Sequence, residues 1–282
     1  MKREVRNRLG TALRYLILIA MGIVMFYPML WMVGASFRTN NAEIFGSIWF
    51  IPKTFTLDGY IDGWNGTTYA YGHYMLNTYK FVLPKVIGTV LSSLVTAYAF
   101  TRFNFVGKKF WYGIMMATLF LPQVVMNVPQ FLLFTKMGWV DSYLPLVVPA
   151  FFACDTYFVF MMSQFMRSVP KELEEAAEID GCNSLQRLYH VIAPMVRPAM
   201  VSAGLFSFMW ASNDYMGPLI YINSTRKFPA SLGLRLFMDS DTGFHWNRVL
   251  ALSVITILPS LIVFFLAQDE FVEGISAGAV KG

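Results

Sequence analysis

The sequence predicts an all-α membrane protein, a polytopic bundle of six transmembrane helices. Composition gives the first reason, because the 282 residues are 56% hydrophobic and only 14% charged, whereas soluble domains carry about 25% charged residues. Patterning gives the second, because the apolar residues gather into six stretches of about 20, the length that a helix needs to cross the hydrocarbon core. No linker or change of composition divides the chain, so we expect one transmembrane domain over residues 1–282.

The six stretches are separated by more polar segments. We place them at approximately 15–35, 77–101, 110–136, 144–166, 198–222 and 247–268. The second carries Lys80 and Lys85 near one end, where long side chains can reach the membrane surface. The first follows a basic segment and so also fits a signal peptide, but its apolar run exceeds the about 7–15 residues of a signal-peptide core. We expect an uncleaved anchor. The segment between the first two stretches should form short helices and turns.

Lys and Arg residues set the orientation, because they concentrate in cytoplasmic loops. They are frequent before the first stretch, after the second and after the fourth, which places these three segments on one side of the membrane. The residues are Lys2, Arg3, Arg6, Arg8, Arg14, Arg102, Lys108, Lys109, Arg167, Lys171, Arg187 and Arg197. Both termini are therefore expected in the cytoplasm.

Several functional classes are disfavoured. The net charge of +5 is scattered, without the clustered basic and aromatic residues of a nucleic-acid surface. His73, His190 and His245 lie far apart, so we expect no metal site. We find no nucleophile paired with a base, and hence no catalytic residues. The chain also lacks the phosphate loop G-x-x-x-x-G-K-[ST].

The segment from 168 to 197 carries the most informative pattern. We expect Ser168 to cap a short helix that contains Pro170 in its first turn and ends at Gly181. Asn183 or Ser184 should start a second short helix. Small residues beside acidic ones on the first helix indicate a surface that another protein approaches closely. The simpler alternative is a solvated amphipathic connector.

These residues resemble a known signature. Glu175-Ala176-Ala177, Asp180-Gly181, Ile192 and Pro194 resemble the EAA motif of binding-protein-dependent ABC importer permeases. Further likenesses to the carbohydrate family of these permeases, typified by the smaller membrane subunit of the maltose importer, extend over nearly the whole chain. They are Leu121-Pro122, Pro129, Gly138, Pro170-Lys171-Glu172-Leu173, Trp210, Asn213-Asp214, Pro218-Leu219 and Gly278-Ala279-Val280-Lys281-Gly282.

The resemblance implies a type I importer fold and a set of partners. The helix at 171–180 would be a cytoplasmic coupling helix seated on a separate ATPase. The implied partners are a second, related permease forming a heterodimer, two ATPase subunits that bind Mg-ATP, and an extracytoplasmic solute-binding protein. The chain itself would be neither an enzyme nor the holder of a cofactor, and it would lie in the bacterial inner membrane.

The resemblance also implies which residues contact the ATPase. For coupling they are Glu172, Glu175, Ala176, Ala177, Asp180, Gly181, Ile192 and Pro194. For a tail lying between the ATPase subunits they are Gly278, Val280 and Lys281.

Polar residues within the apolar stretches are candidates for the substrate path. Gln123, Asn127 and Gln130 recur at helical spacing, and equally could join helices to one another. Asp155 lies near the middle of the fourth stretch, where a carboxylate is either functional or bonded inside the bundle. Asn213 and Asp214 complete the set, with a structural role as the alternative.

The resemblance implies import of a carbohydrate, most simply an oligosaccharide. Arg226, Lys227 and Arg235 suit an acidic one, such as a fragment of alginate or pectin, or else acidic patches on a binding protein. The alternative function is a membrane channel or a structural subunit without ATPase coupling.

Overall fold

The computed structural model describes residues 2–238 and 244–279 of the chain. These residues are mostly helical, and none of them forms a β-strand. They pack as two compact units. The first comprises the described residues of 1–72 and 234–257, and the second comprises those of 73–233 and 258–279.

Most helices are interrupted or short, and a few are long. In chain order they are α1 (Lys2–Ser36), α2 (Asn41–Gly46), α3 (Asp58–Asn65), α4 (Tyr71–Arg102), α5 (Lys108–Thr118), α6 (Gln123–Lys136), α7 (Leu144–Val147), α8 (Thr156–Ser168), α9 (Glu172–Ile179), α10 (Ser184–Arg187), α11 (Ala193–Met195), α12 (Arg197–Ser212), α13 (Met216–Tyr221), α14 (Ala230–Arg235) and α15 (Trp246–Ala279). A 3-10 helix at Val148–Phe152, a π-helix at Leu188–Ile192 and a 3-10 helix at Thr225–Lys227 connect some of them.

The described helices include up to six candidate membrane crossings. Four helical stretches are long and apolar enough to span a bilayer, namely Gly10–Ser36, Tyr71–Arg102, Leu144–Ser168 and Trp246–Glu270. Two bent pairs pass the same test: α5 with α6, bent by 104°, and Ser184–Met195 with α12, bent by 79°. Counting each pair as one crossing gives up to six. The prediction of an all-α polytopic membrane bundle is confirmed.

The third stretch departs from its prediction as a continuous helix over 110–136. Helix α5 ends at Thr118, and α6 begins only at Gln123. Pro122, between them, is extended at φ −63° and ψ 126°. Proline lacks the N–H of the helical ladder and disfavours helical geometry in the residue before it. The chain therefore turns sharply here.

The fourth and fifth stretches are also broken, contrary to the continuous helices predicted over 144–166 and 198–222. Ala153, just before α8, adopts the left-handed conformation at φ 55°. Residues 213–215 separate α12 from α13. Asp155 lies at the first of these breaks and Asp214 at the second. Neither carboxylate is inside a regular helix, so each lies beside backbone N–H and C=O groups that are outside the helical hydrogen-bond pattern.

Two buried clusters organise the second unit. One joins the later part of α4 to α8, the π-helix and α12, through Leu94, Ala97, Tyr98, Phe158, Val159, Met162, Met166, Val169, Leu188, Ile192, Val196, Ala199 and Ala203. The other joins the earlier part of α4 to α6, α7, α12 and α13, through Phe81, Val82, Phe134, Leu146, Phe208, Ala211, Tyr221 and Ile222. Helix α4 contributes to both clusters.

In the first unit, Arg38 organises the loop after α1. Its side chain is buried, and Nη1 donates to the carbonyl oxygens of Glu43, Ile44 and Ser47 at 3.1, 2.9 and 3.0 Å. The Glu43 carboxylate accepts a 2.7 Å hydrogen bond from the hydroxyl of Thr54, which lowers its pKa to about 2. This segment, predicted as short helices and turns, contains α2 and α3.

Candidate functional site

A cavity of about 290 Å³ lies within the second unit. It is formed where the breaks before α8 and α13 face the start of α6. The lining residues are Lys85, Gln123, Asn127, Gln130, Phe134, Pro145, Leu146, Pro149, Ala150, Cys154, Asp155, Asp214, Met216, Gly217, Ile220 and Tyr221. Five of the six residues predicted for the substrate path are among them.

Three amide side chains form a row along one face of α6. Gln123, Asn127 and Gln130 are spaced by four and three positions, which places them on the same side of a helix. The Nε2 atom of Gln123 lies 3.4 Å from Oδ1 of Asn127 and 3.3 Å from Oε1 of Gln130. Each amide offers both donors and acceptors. The row therefore presents mixed hydrogen-bonding groups to the cavity.

Asp155 is held at its break by a hydrogen bond from α4. The buried hydroxyl of Thr89 donates to Oδ2 of Asp155 at 3.0 Å. One turn further along α4, the hydroxyl of Ser92 donates to the carbonyl oxygen of Ala150 at 2.6 Å. Both bonds join α4 to the irregular segment before α8. They fix the direction in which the Asp155 carboxylate faces the cavity.

Asp214 is held by the start of α13. Its Oδ1 atom accepts a 2.9 Å hydrogen bond from the backbone N–H of Gly217. A Cβ atom at Gly217 would lie 2.5 Å from Oδ2 of Asp214 and 3.0 Å from the side chain of Leu146. Glycine is thus needed for the backbone to approach the carboxylate so closely.

Asn213 and Lys85 differ from the predictions. The Asn213 side chain donates to the carbonyl oxygen of Met209 on the preceding helix, α12, at 2.8 Å, and it is not part of the cavity lining. Lys85, predicted to reach toward the membrane surface, lines the cavity. The sequence did not indicate that Lys85 lines a cavity. This residue is only eight positions after Asn77, the predicted start of the second stretch, so its side chain was expected to reach the membrane surface.

A second cavity of about 550 Å³ shares Gln123, Gln130, Cys154 and Asp155 with the first. It adds an aromatic surface. Trp210 on α12 is 54% exposed, and its ring centroid lies 5.5 Å from that of Tyr157 on α8. Sequence reasoning noted Trp210 only as part of a family pattern. The structure brings its ring to a cavity that also contains amides and a carboxylate.

The segment from 168 to 197 forms the predicted helix, glycine turn and second helix. Gly181 adopts φ +87°, and the N–H of Cys182 donates to the carbonyl oxygen of Ala177 at 2.9 Å, which closes the end of α9. Asn183 caps α10 in a reciprocal capping box with Gln186. The backbone thus turns back sharply between two short helices.

The prediction that Ser168 caps the first helix is wrong. Ser168 is the last residue of α8, and its hydroxyl donates to the carbonyl oxygen of Phe165 at 2.6 Å. Val169 is extended at ψ 122°, as expected for a residue that precedes proline. Helix α9 therefore begins only at Glu172, after Pro170.

Most of the predicted coupling residues are accessible. Glu172, Glu175, Ala176, Asp180, Gly181 and Pro194 are exposed, and Ala177 is half-buried. Ile192 is fully buried in the cluster with α4, α8 and α12. Of the predicted tail, Gly278 is helical backbone near the end of α15, whereas Val280 and Lys281 lie outside the described residues.

An exposed apolar surface on this segment was not predicted. Ile179, Leu185 and Tyr189 are exposed to 87%, 74% and 73%. They follow one another along α9, α10 and the π-helix. Because the three residues lie on three different elements, they do not share one helical period. The sequence pattern therefore could not show that they form one surface. We call these three residues the apolar edge.

Comparison with known proteins decides the family. Residues 88–268, more than half of the chain, match the family described as binding-protein-dependent transport system inner membrane component. The chain belongs to this family. Among its relatives, the probable ABC transporter permease protein YurM of Bacillus subtilis (strain 168) is 30% identical over 260 residues, covering 92% of this chain and 85% of that protein. The trehalose/maltose transport system permease protein MalG of Thermococcus litoralis is 30% identical over 264 residues, covering 94% of each chain.

A solved structure shares the fold. It belongs to a bacterial ABC transporter involved in the import of the acidic polysaccharide alginate, and it matches with a TM-score of 0.81 at 20% identity. The match covers 94% of this chain and 97% of that chain.

Family membership fixes the general role. The chain is a multi-pass membrane subunit of a transport system, and it is not itself an enzyme. Permeases of this family carry no cofactor of their own. They work with a partner permease, an ATPase and a solute-binding protein.

Proposed function

We propose that this chain is one permease subunit of an ATP-driven importer for an oligosaccharide. It would form the translocation path together with a second, different permease. The observation that carries the proposal is the cavity, where amides and carboxylates converge at two breaks in the helices. Irregular backbone at membrane depth is tolerated only where it is buried in protein or lines a wet cavity.

The chemistry of this cavity suits a sugar. Hydroxyl groups both donate and accept hydrogen bonds, and Gln123, Asn127 and Gln130 can do both in return. Asp155 supplies an acceptor, and in the second cavity, which shares Asp155 with the first, the exposed ring of Trp210 supplies a flat apolar face for a pyranose. Among the relatives, the galactooligosaccharides permease protein GanQ of Bacillus subtilis is 28% identical over 99% of this chain, which supports the same substrate class.

The segment from 168 to 197 would dock on the ATPase. Helix α9, with Glu172, Glu175 and Ala176 exposed, would enter a groove on that subunit, and the apolar edge would cover its rim. Two ATPase subunits carrying Mg-ATP would serve the pair of permeases. The basic residues near this segment support its placement in the cytoplasm, with both termini on the same side.

The C-terminal tail would contact the same ATPase subunits. Gly278, Val280 and Lys281 carry this part of the proposal, which rests on their resemblance to the tail of maltose-type permeases. Small residues at this end suit a narrow space between two subunits.

Within this function, the sugar is either neutral or acidic. Lys227 is held by Asp141 at 2.9 Å, and hydrogen bonds from Ser224 and Lys227 keep the pKa of Asp141 well below its ordinary value. Arg226 is therefore the more available basic side chain of this loop, where it would meet either an acidic sugar or a binding protein.

The test uses the complex of both permeases, the ATPase and the binding protein. ATP hydrolysis would be measured with neutral oligosaccharides, such as maltotriose and galactobiose, and with oligogalacturonate and alginate fragments. We expect at least one of these to stimulate hydrolysis. If the chain does not co-purify with an ATPase subunit, or no oligosaccharide changes hydrolysis, the channel or structural alternative gains support.

A further inference from the structure

Arg102 and Glu174 form a buried ion pair at the edge of the second unit's core. Arg102 is the last residue of α4, and its guanidinium contacts the carboxylate of Glu174 on α9. Their side chains are only 9% and 10% exposed. Within α9, all of which the structure describes, Glu174 is the one buried residue. This pair therefore anchors an otherwise exposed helix.

The surroundings of the pair reinforce the attachment. Nη2 of Arg102 donates to the carbonyl oxygen of Val169 at 2.9 Å, at the turn that leads from α8 to α9. Arg102 of α4 thus holds both α9 and the turn that precedes it.

A buried ion pair of this kind is poorly explained by stability alone. The free energy needed to remove two charges from water offsets much of the attraction between them. Replacing both partners by apolar residues therefore often gives an equally stable protein. Arginine adds direction, because its planar guanidinium donates at fixed angles to several acceptors. The pair is better suited to fixing the orientation of α9 relative to α4.

The geometry points to a coupling role for this pair. We propose that Arg102 and Glu174 are positioning residues that transmit the movement of α9 to α4, and hence to the cavity. The proposal rests on the proposed function, in which α9 follows the ATPase. Helix α4 carries Lys85 into the cavity lining and Thr89 to Asp155. A rotation or shift of α4 therefore reaches the cavity directly.

The experiment uses the double variant Arg102→Met with Glu174→Gln, which removes both charges and leaves no unpaired buried ion. The readout is the native Cys154, which lines both cavities, in a Cys182→Ser background. Its rate of modification by a polar maleimide is measured in the assembled complex, with and without a non-hydrolysable ATP analogue and the binding protein. The matched control is Arg197→Met with Glu270→Gln. In this ion pair Nη2 of Arg197 lies 2.7 Å from Oε1 of Glu270, and the two side chains are 71% and 35% exposed.

We expect the analogue to change the Cys154 rate in the wild-type complex by at least about fivefold, as for a typical coupling between sites. In the double variant the change should fall below about twofold while the ATPase still co-purifies, and the exposed-pair control should behave as wild type. The swapped pair Arg102→Glu with Glu174→Arg should recover part of the response, which a merely structural loss would not explain.

The outcomes separate this inference from the proposed function. A double variant that assembles and responds like the wild type would overturn the coupling role. A wild-type complex that shows no nucleotide-dependent change in Cys154 would instead contradict alternating access in the proposed function. If the double variant fails to assemble, the single variant Arg102→Lys, which keeps the charge but loses the planar fork, must show the reduced response for the inference to stand.

Discussion

Thr89 and Asp155 are joined by a 3.0 Å hydrogen bond between the buried hydroxyl on α4 and the carboxylate at the break before α8. The two residues are 66 positions apart in the chain. The bond fixes a carboxyl group at the surface of a cavity and connects it to a long helix.

Replacing Asp155 should reduce transport without preventing assembly. Asp155→Leu removes a hydrogen-bond acceptor and leaves the buried Thr89 hydroxyl unpaired, and leaving a buried donor unsatisfied costs about 1–3 kcal/mol. Sugar uptake should fall about tenfold or more, and Asp155→Asn, which keeps an acceptor for Thr89, should lose less. Asn213→Ala is the control, because in the described structure that side chain bonds only to the carbonyl oxygen of Met209 on the adjacent helix α12. Equal uptake in Asp155→Leu and Asn213→Ala would contradict a role for Asp155 in the path.

Ala176→Arg should uncouple the chain from its ATPase. Ala176 is exposed on α9, so the fold should tolerate arginine, while a bulky cation would prevent close approach of the groove. Co-purification of the ATPase should fall at least about tenfold, and uptake with it, at normal levels of the chain in the membrane. The matched change Ser168→Arg, at the exposed end of α8, should retain the ATPase. Normal docking of Ala176→Arg would exclude this face of α9 as the contact.

The loop after α1 should depend on the ionisation of Glu43. Its pKa is lowered from 4.5 to about 2, chiefly by the hydrogen bond from the Thr54 hydroxyl. A lowered folded-state pKa means that the ionised carboxylate stabilises the loop fully above about pH 4.5, and that this contribution is lost as the pH falls toward about 2. Amide hydrogen exchange at Thr54, compared between wild type and Glu43→Gln at each pH, measures the effect.

The Glu43→Gln variant should exchange faster than wild type at pH 6, and the two rates should converge as the pH approaches 2. The ratio at each pH cancels the intrinsic pH dependence of exchange. A ratio that does not change between pH 6 and 2 would show that the carboxylate does not stabilise the loop.

Labelling should locate the two sides of the membrane. In a Cys154→Ser background, a cysteine introduced at the exposed Thr68 should react with an impermeant maleimide added to intact spheroplasts. The native Cys182, between α9 and α10, should react only after the membrane is opened. Labelling of Cys182 in intact spheroplasts would reverse the proposed orientation.

Truncation after Val272 tests the proposed contact of the tail. It should lower sugar-stimulated ATP hydrolysis and uptake together, because the lost contacts would be with the ATPase subunits. Insertion of the chain in the membrane should be normal. Unchanged stimulation in equal amounts of assembled complex would show that Gly278, Val280 and Lys281 are dispensable.

The sequence predicts the helical crossings well because their signal is long. A helix such as α15 collects over 20 apolar residues, and local exceptions do not obscure the pattern. The breaks are harder to predict. Pro122 could have indicated the bend between α5 and α6, but nothing in the identity of Ala153 indicates a left-handed backbone, since alanine favours helices. That conformation is imposed by tertiary packing.

Only part of the lining of the candidate cavity could be predicted from local patterns in the sequence. Gln123, Asn127 and Gln130 share a helical period, so their common face follows from spacing alone. Lys85 and Trp210 come from distant parts of the chain, and no local pattern links them to that face. Similarly, Arg102 and Glu174 are 72 positions apart, and one buried carboxylate among four acidic residues of a short helix cannot be singled out by sequence.

The apolar edge at Ile179, Leu185 and Tyr189 bears on how many copies of the chain a cell can keep. A permease made in excess of its ATPase would present three large apolar side chains to the cytosol, where they would attract chaperones and proteases. Subunit stoichiometry would then be enforced by quality control of surplus chains, without a dedicated regulator. The half-life of the chain in cells that lack the ATPase, compared with that of a variant carrying Ser at these three positions, would reveal such surveillance.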